Sequence, residues 1–203
     1  MTKSIEKQAL ARIYGHGRGW AFSAKDFSDL ERVAMALFRM EEKGTIRRVI
    51  RGIYDYPRYS ELLKQDMAPD IHKVAQALAR KFGWRIQPGS AAAANIIGLS
   101  TQVPAQYIYQ SDGPTRTYKI DKTELKFKHS ALKEAGFKQD ESAIIVRALK
   151  AFKEEQVSSE MIEKARAWLP PDNRPKVLRD TQGITDWVYA IIKKVCREEE
   201  SNG

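Results

Sequence analysis

The feature that most constrains this chain is the segment "TIRRVIRGIYDYP", Thr45 to Pro57. β-Branched and aromatic residues fill it, Gly52 stands near its centre and Pro57 ends it. Together they predict a β-hairpin with Arg51-Gly52 as a two-residue turn. Three helices are expected before it, interrupted by a glycine-rich corner and the short apolar stretch Trp20-Ala21-Phe22. Ile5, Ala9 and Ile13 recur on one face of a helix from Ser4 to Tyr14. Ser23 can cap a second helix reaching about Leu30. A third runs roughly from Glu31 to Lys43, where Gly44 stops it as a C′ residue.

Helix, helix, helix and hairpin is the order of a winged helix-turn-helix, in which one helix enters the major groove of DNA and the hairpin touches the flanking backbone. At ~100° per residue, Arg32, Ala36, Arg39 and Lys43 fall on one stripe of the third helix, and Val33, Leu37 and Met40 on another about 100° away. The apolar stripe is expected to pack on the first two helices. The basic one offers cations flanking a small residue, so the helix can approach base edges closely. Glu31, Glu41 and Glu42 fall together away from it. The hairpin adds Arg47, Arg48 and Arg51, each able to neutralise a phosphate by bidentate hydrogen bonding. With Lys25 at the start of the second helix, the expected DNA contacts are Lys25, Arg32, Met35, Arg39, Lys43, Arg47, Arg48 and Arg51.

Charge is distributed accordingly. Of the net +9, residues 1–58 hold +5 (12 Lys/Arg against 7 Asp/Glu), residues 59–140 hold +4 (12 against 8) and residues 141–203 none (11 against 11). A polyanionic partner suits the first two-thirds, and packing or protein contacts suit the rest. No run approaches ~18 apolar residues, which argues against a membrane span. The opening "MTKSIEKQAL" is polar and periodic, unlike a secretory signal. Cys196 is the sole cysteine, so neither an internal disulfide nor a cysteine zinc set is available. A reducing cytoplasm is the expected compartment.

Other constellations have plainer readings. In "YGHGRGWAFS" the glycines follow a helix and lead into an extended stretch, the reverse of the order a dinucleotide-binding loop needs, and the Gly-Lys-Ser/Thr of a P-loop is missing. A chain reversal is expected there. Asp112 with Glu124-x-Lys126 has a spacing that metal-dependent nucleases can show. Yet Thr123, Leu125 and Phe127 alternate with Glu124, Lys126 and Lys128, as on a half-exposed strand. His16, His72 and His129 are scattered without metal-ligand spacing. A binding protein without cofactor or metal is favoured over an enzyme, and a metal-dependent nuclease is the remote alternative.

The expected class is α+β: a winged helix-turn-helix at 1–58, a linker at 59–69, and a mixed α/β domain with C-terminal helices at 70–203. Asp70 caps a helix carrying Ile71, Val74, Ala75 and Leu78 at helical spacing. Ser90 opens an alanine-rich helix ending near Gly98, and residues 106–130 read as β structure with a turn at Asp112-Gly113-Pro114. The last helix bears a wide apolar stripe, Ile184, Trp187, Val188, Ile191, Ile192 and Val195, which can pack internally or join two copies.

The stretches "YGHGRGWAFSAKDF", "EEKGTIRRVIRGIYDYPR" and "IQPGSAAAANIIGLSTQVPAQYIYQSDGPTR", with the basic strands after them, resemble the AbiEi-type antitoxin and transcriptional-regulator group over roughly residues 5–130. Its members commonly accompany a nucleotidyltransferase-like toxin in bacterial type IV toxin–antitoxin operons. The resemblance implies an N-terminal winged helix that binds and represses the operon's own promoter, and a following domain concerned with antitoxin action. Double-stranded DNA and a toxin protein are the partners it suggests, and a homodimer is what regulators that read an inverted repeat are expected to form. Between the second and third helices this chain has only "SDLER", where relatives often carry a few more residues including a glycine. A shifted register would put Met35 rather than Arg32 at the base-contact position.

Overall fold

The computed structural model describes residues 4–100, 104–130 and 137–197. Within them the chain is of α+β class, with eight α-helices and three sheets, and it divides into two compact units, Met1–Ile86 and Gln87–Gly203.

The first unit opens with α1 (Ile5–His16), whose N-terminus is capped where the Ser4 hydroxyl accepts from the Lys7 N–H at 3.3 Å. Strand β1 (Ala21–Phe22) follows the glycine corner. The expected second helix is only a single 3-10 turn, Ala24–Phe27, closed by a reciprocal cap. The Ser23 hydroxyl accepts from the Lys25 N–H, and the Asp26 carboxylate accepts from the Ser23 N–H at 2.8 Å. Helix α2 (Val33–Glu42) starts two residues later than expected, because Arg32 takes a left-handed conformation at φ 54° and breaks the helical path before Val33. Strands β2 (Arg47–Ile50) and β3 (Ile53–Asp55) form the hairpin, and β1 joins β3 on its other side, giving the order β1-β3-β2. Ala9, Ile13, Phe22, Phe27, Val33, Ala36, Leu37, Met40 and Ile46 make one buried core.

The expected linker at 59–69 is instead partly ordered as a second hairpin, β4 (Tyr59–Ser60) with β5 (Gln65–Asp66). The unit also extends beyond 58. Helix α3 (Ile71–Phe82), capped by Asp70 as expected, packs on β1, β3 and the 3-10 turn. Its apolar stripe, Val74, Ala75 and Leu78, is fully buried there, where each large aliphatic side chain is worth about 2 kcal/mol. Arg80 pins the helix by donating to Asp26 at 2.6 Å and to the Ala21 carbonyl at 2.8 Å. The boundary therefore lies after Ile86, because a small sheet needs the second layer that α3 supplies.

The second unit is built on a mixed sheet of β6 (Ile86–Pro88), β7 (Gln106–Ser111), β8 (Arg116–Ile120) and β9 (Thr123–His129), with β7 parallel and β8 antiparallel to β9. Its helices are α4 (Ser90–Ile97), α5 (Asp140–Leu149), α6 (Ser159–Trp168), α7 (Arg174–Asp180) and α8 (Asp186–Cys196). The α8 stripe packs internally: Val188, Ile192 and Val195 are fully buried in a core shared with α4, α5, α6 and α7. Trp168 and Trp187 pack against the same core. Burial pushes the Cys196 thiol above its ordinary range.

Candidate nucleic-acid interface

Helix α2 has two faces, and their phase differs from the one the sequence suggested. Val33, Ala36, Leu37 and Met40 all point into the core, Ala36 being only 7% exposed. The expected stripe of Arg32, Ala36, Arg39 and Lys43 is therefore not a surface. Spacings of three and four residues place Ala36 between Val33 and Met40 on the inner arc, so it belongs with them. The outer face carries Ala34, Met35, Phe38 and Arg39, with Met35 58% and Phe38 46% exposed. Glu42 follows on the exposed side in the last turn. Arg32 is exposed just ahead of the helix, and Lys25 is exposed on the 3-10 turn. Lys43 sits past the C-terminus, where its ammonium pairs with Glu6 of α1 at 2.6 Å. It closes the bundle and is neutralised by doing so.

The hairpin separates its three arginines sharply. Its turn is Arg51-Gly52, with Gly52 at φ 76°, and Ile50 pairs with Ile53 across it. A regular ladder from that turn would set Arg48 opposite Asp55. Instead the pairing steps to Arg48 opposite Tyr54 and Arg47 opposite Asp55, leaving Val49 as the extra residue of a bulge. Arg47 is consequently committed inward. Its guanidinium makes a two-point bridge to Asp55, at 3.0 and 2.5 Å, and donates to the Met67 carbonyl at 2.9 Å. Asp55 is 2% exposed, and burial pushes its carboxyl above the ordinary range while Arg47 pulls it down. Arg47 is thus a structural residue and not a phosphate contact.

Arg48 and Arg51 are exposed, and like Lys25, Arg32 and Arg39 they form no side-chain hydrogen bond or ion pair among the described residues. The turn has a further cation that the sequence did not suggest. Lys81 of α3 donates to the Arg51 carbonyl at 3.3 Å, and its Nζ lies 2.6 Å from where a side chain on Gly52 would begin. Burial, and then the neighbouring Arg51 charge, pull the Lys81 ammonium below its usual range. Only the packing of α3 on the first unit reveals this residue.

Residues 8–176 match a family of unknown function, DUF6088. The chain belongs to the DUF6088 family. A search of curated proteins finds no match. The matched span takes in nearly all of the first unit, including Lys25, the arginines of α2 and the hairpin, and Lys81, and most of the second.

In this DUF6088 chain the glycine corner serves the fold. Gly17 at φ 81° caps α1, its N–H shared between the Ile13 and Tyr14 carbonyls, and Gly19 at φ 88° donates to the Tyr56 carbonyl at 2.6 Å. The Gly17 N–H thus closes α1 and the Gly19 N–H ties the corner to the chain beyond β3, so neither is left to face a phosphate. Trp20 stacks between His16 and Phe22, and Arg18 donates to the Pro57 carbonyl while lying over the Tyr56 ring. In the second unit, Glu124 lies opposite Gln106 and accepts from its amide at 2.8 Å, whereas Asp112 follows Ser111 at the other end of β7. About six residues of strand, or roughly 20 Å, separate the two carboxylates along the sheet. They do not form a pair that could share a metal ion.

Proposed function

We propose that this chain is a sequence-specific DNA-binding regulator that sets α2 in the major groove and rests the β2–β3 turn on the flanking backbone, as a winged helix-turn-helix does. The observation that carries this reading is the Arg51 turn. Arg51 and Lys81 are brought together there, and no carboxylate among the described residues bonds either. Each cation disfavours the other, and a bound phosphate relieves that cost. The order α1, 3-10 turn, α2 and basic hairpin supports the reading, with a middle helix shorter than such domains usually have. The likeness to AbiEi-type antitoxins supports the finer statement: repression of its own operon in the cytoplasm, beside a nucleotidyltransferase-like toxin. A homodimer on an inverted repeat would suit that role.

Fluorescence anisotropy with DNA from upstream of its own gene, against scrambled DNA over a salt series, tests this directly. Tighter binding to the upstream DNA, with log K falling by roughly 0.9 per phosphate contact per decade of salt, is the expected result. Equal and weak binding to both would overturn it.

The second unit has an apolar core of its own, which favours a second reading: neutralisation of a partner protein independently of DNA. The full-length Arg39→Glu/Arg51→Glu protein separates the two. Promoter repression should be lost in it, while neutralisation survives if it resides beyond residue 86.

A further inference from the structure

The outer face of α2 carries more than charge. Met35 and Phe38 are large apolar side chains, both about half exposed, on a helix whose outward surface also presents Arg39, which has no side-chain hydrogen bond or ion pair among the described residues. Spacings of three and four residues join Ala34, Met35, Phe38 and Arg39 into one continuous patch. Burying side chains of this size against a partner gains up to about 2 kcal/mol each. Arg39 lies within the patch and Arg32 ahead of the helix, while Glu31 and Glu42 stand at its two ends; the two arginines suit an anionic partner over the first turns and oppose a purely apolar one. One partner displays small apolar groups inside an anionic groove: duplex DNA, whose thymine C5-methyl groups line the major groove.

Resting on the DNA-binding reading above, we infer that α2 reads thymine methyl groups through Met35 and Phe38, next to a guanine read by Arg39. Arginine matches the O6 and N7 acceptors of guanine with two N–H donors, and an aromatic or thioether side chain fits against a methyl group. The dimensions agree. Met35 and Arg39 are separated by about 6 Å along the helix axis, just under two base-pair steps of roughly 3.4 Å. The patch thus covers a short T-rich step beside one guanine. Ala34, small and exposed at the start of the helix, allows close approach there. Glu42 lies in the last turn, where a helix entering by its N-terminus is leaving the groove.

The test selects duplexes from a random pool with the full-length protein, then rebuilds the selected sequence with deoxyuridine for thymine, which removes only the methyl. Each contacted methyl should be worth about a fourfold loss in affinity. In the Met35→Ala/Phe38→Ala protein the ratio between thymine and uracil duplexes should fall to about one. Both side chains are exposed, so its thermal unfolding should match the parent, and a circular dichroism melt verifies this. If a sequence is selected but uracil binds equally well, or if the double variant still discriminates, the methyl-reading inference is overturned while DNA recognition stands. If no sequence is enriched, both fall together.

Discussion

The two hairpins of the first unit share a root and differ at their tips. Both are short and antiparallel, and both turns use left-handed backbone, at Gly52 (φ 76°) and at Lys64 (φ 51°). Arg47 ties their bases together by holding Asp55 of the first and the Met67 carbonyl beside the second. The β2–β3 turn carries Arg51, is backed by Lys81, and has Arg48 exposed on its strand. The β4–β5 turn presents Leu62, 91% exposed, and Leu63, 62% exposed, while its Lys64 closes on Glu61 at 3.0 Å. Charge is left open at one tip and satisfied at the other. The contrast shows that register and pairing, more than composition, decide which cations can meet a partner.

Arg47→Ala should break the comparison at its root, with the largest effect. It leaves Asp55 buried without its cation and frees both hairpin bases, a loss of about 3 kcal/mol to be read by urea denaturation. Arg48→Ala, one residue along, should stay within ~0.5 kcal/mol of the parent. Gly52→Ala comes next. An L-residue at φ 76° that also displaces Lys81 should cost about 1 kcal/mol, visible as a lower melting temperature. Arg51→Ala should leave stability unchanged and weaken DNA binding, with the salt slope shallower by about 0.9. Unaltered affinity and slope would remove the hairpin from the interface. Leu62→Ser should do least, changing stability by no more than ~0.5 kcal/mol and leaving DNA affinity as it was. A drop in affinity would mean that the second hairpin also touches the duplex.

Local signals were readable where one side chain decides the outcome. Asp70 caps α3, Gly44 ends α2, and Arg51-Gly52 makes the turn because Gly52 alone there tolerates positive φ. The apolar spacing of α8 likewise marked a helix with one buried face. What depended on neighbours in space was not readable. The bulge at Val49 shifts Asp55 from Arg48 to Arg47, and nothing in "RRVIRGIYD" announces it. Asp55 was itself a clue, since a carboxylate amid strand-forming residues calls for a cation. Ala36 reads as a small groove-facing residue until the core shows its phase. Lys81 lies 30 positions from Arg51, and only the docking of α3 on β1 and β3 brings them to one turn.

In the proposed complex the open cations and the outer face of α2, and not the basic composition as a whole, form the interface. Amide chemical-shift mapping of the labelled full-length protein against its upstream duplex tests this most directly. Perturbations are expected to concentrate at Lys25, Arg32 to Arg39, Arg48, and the Arg51-Gly52 turn with Lys81, with little change at Leu62, Leu63 or the lysines of β9. Perturbations centred on the β7–β9 sheet, or spread evenly over every exposed lysine and arginine, would contradict it.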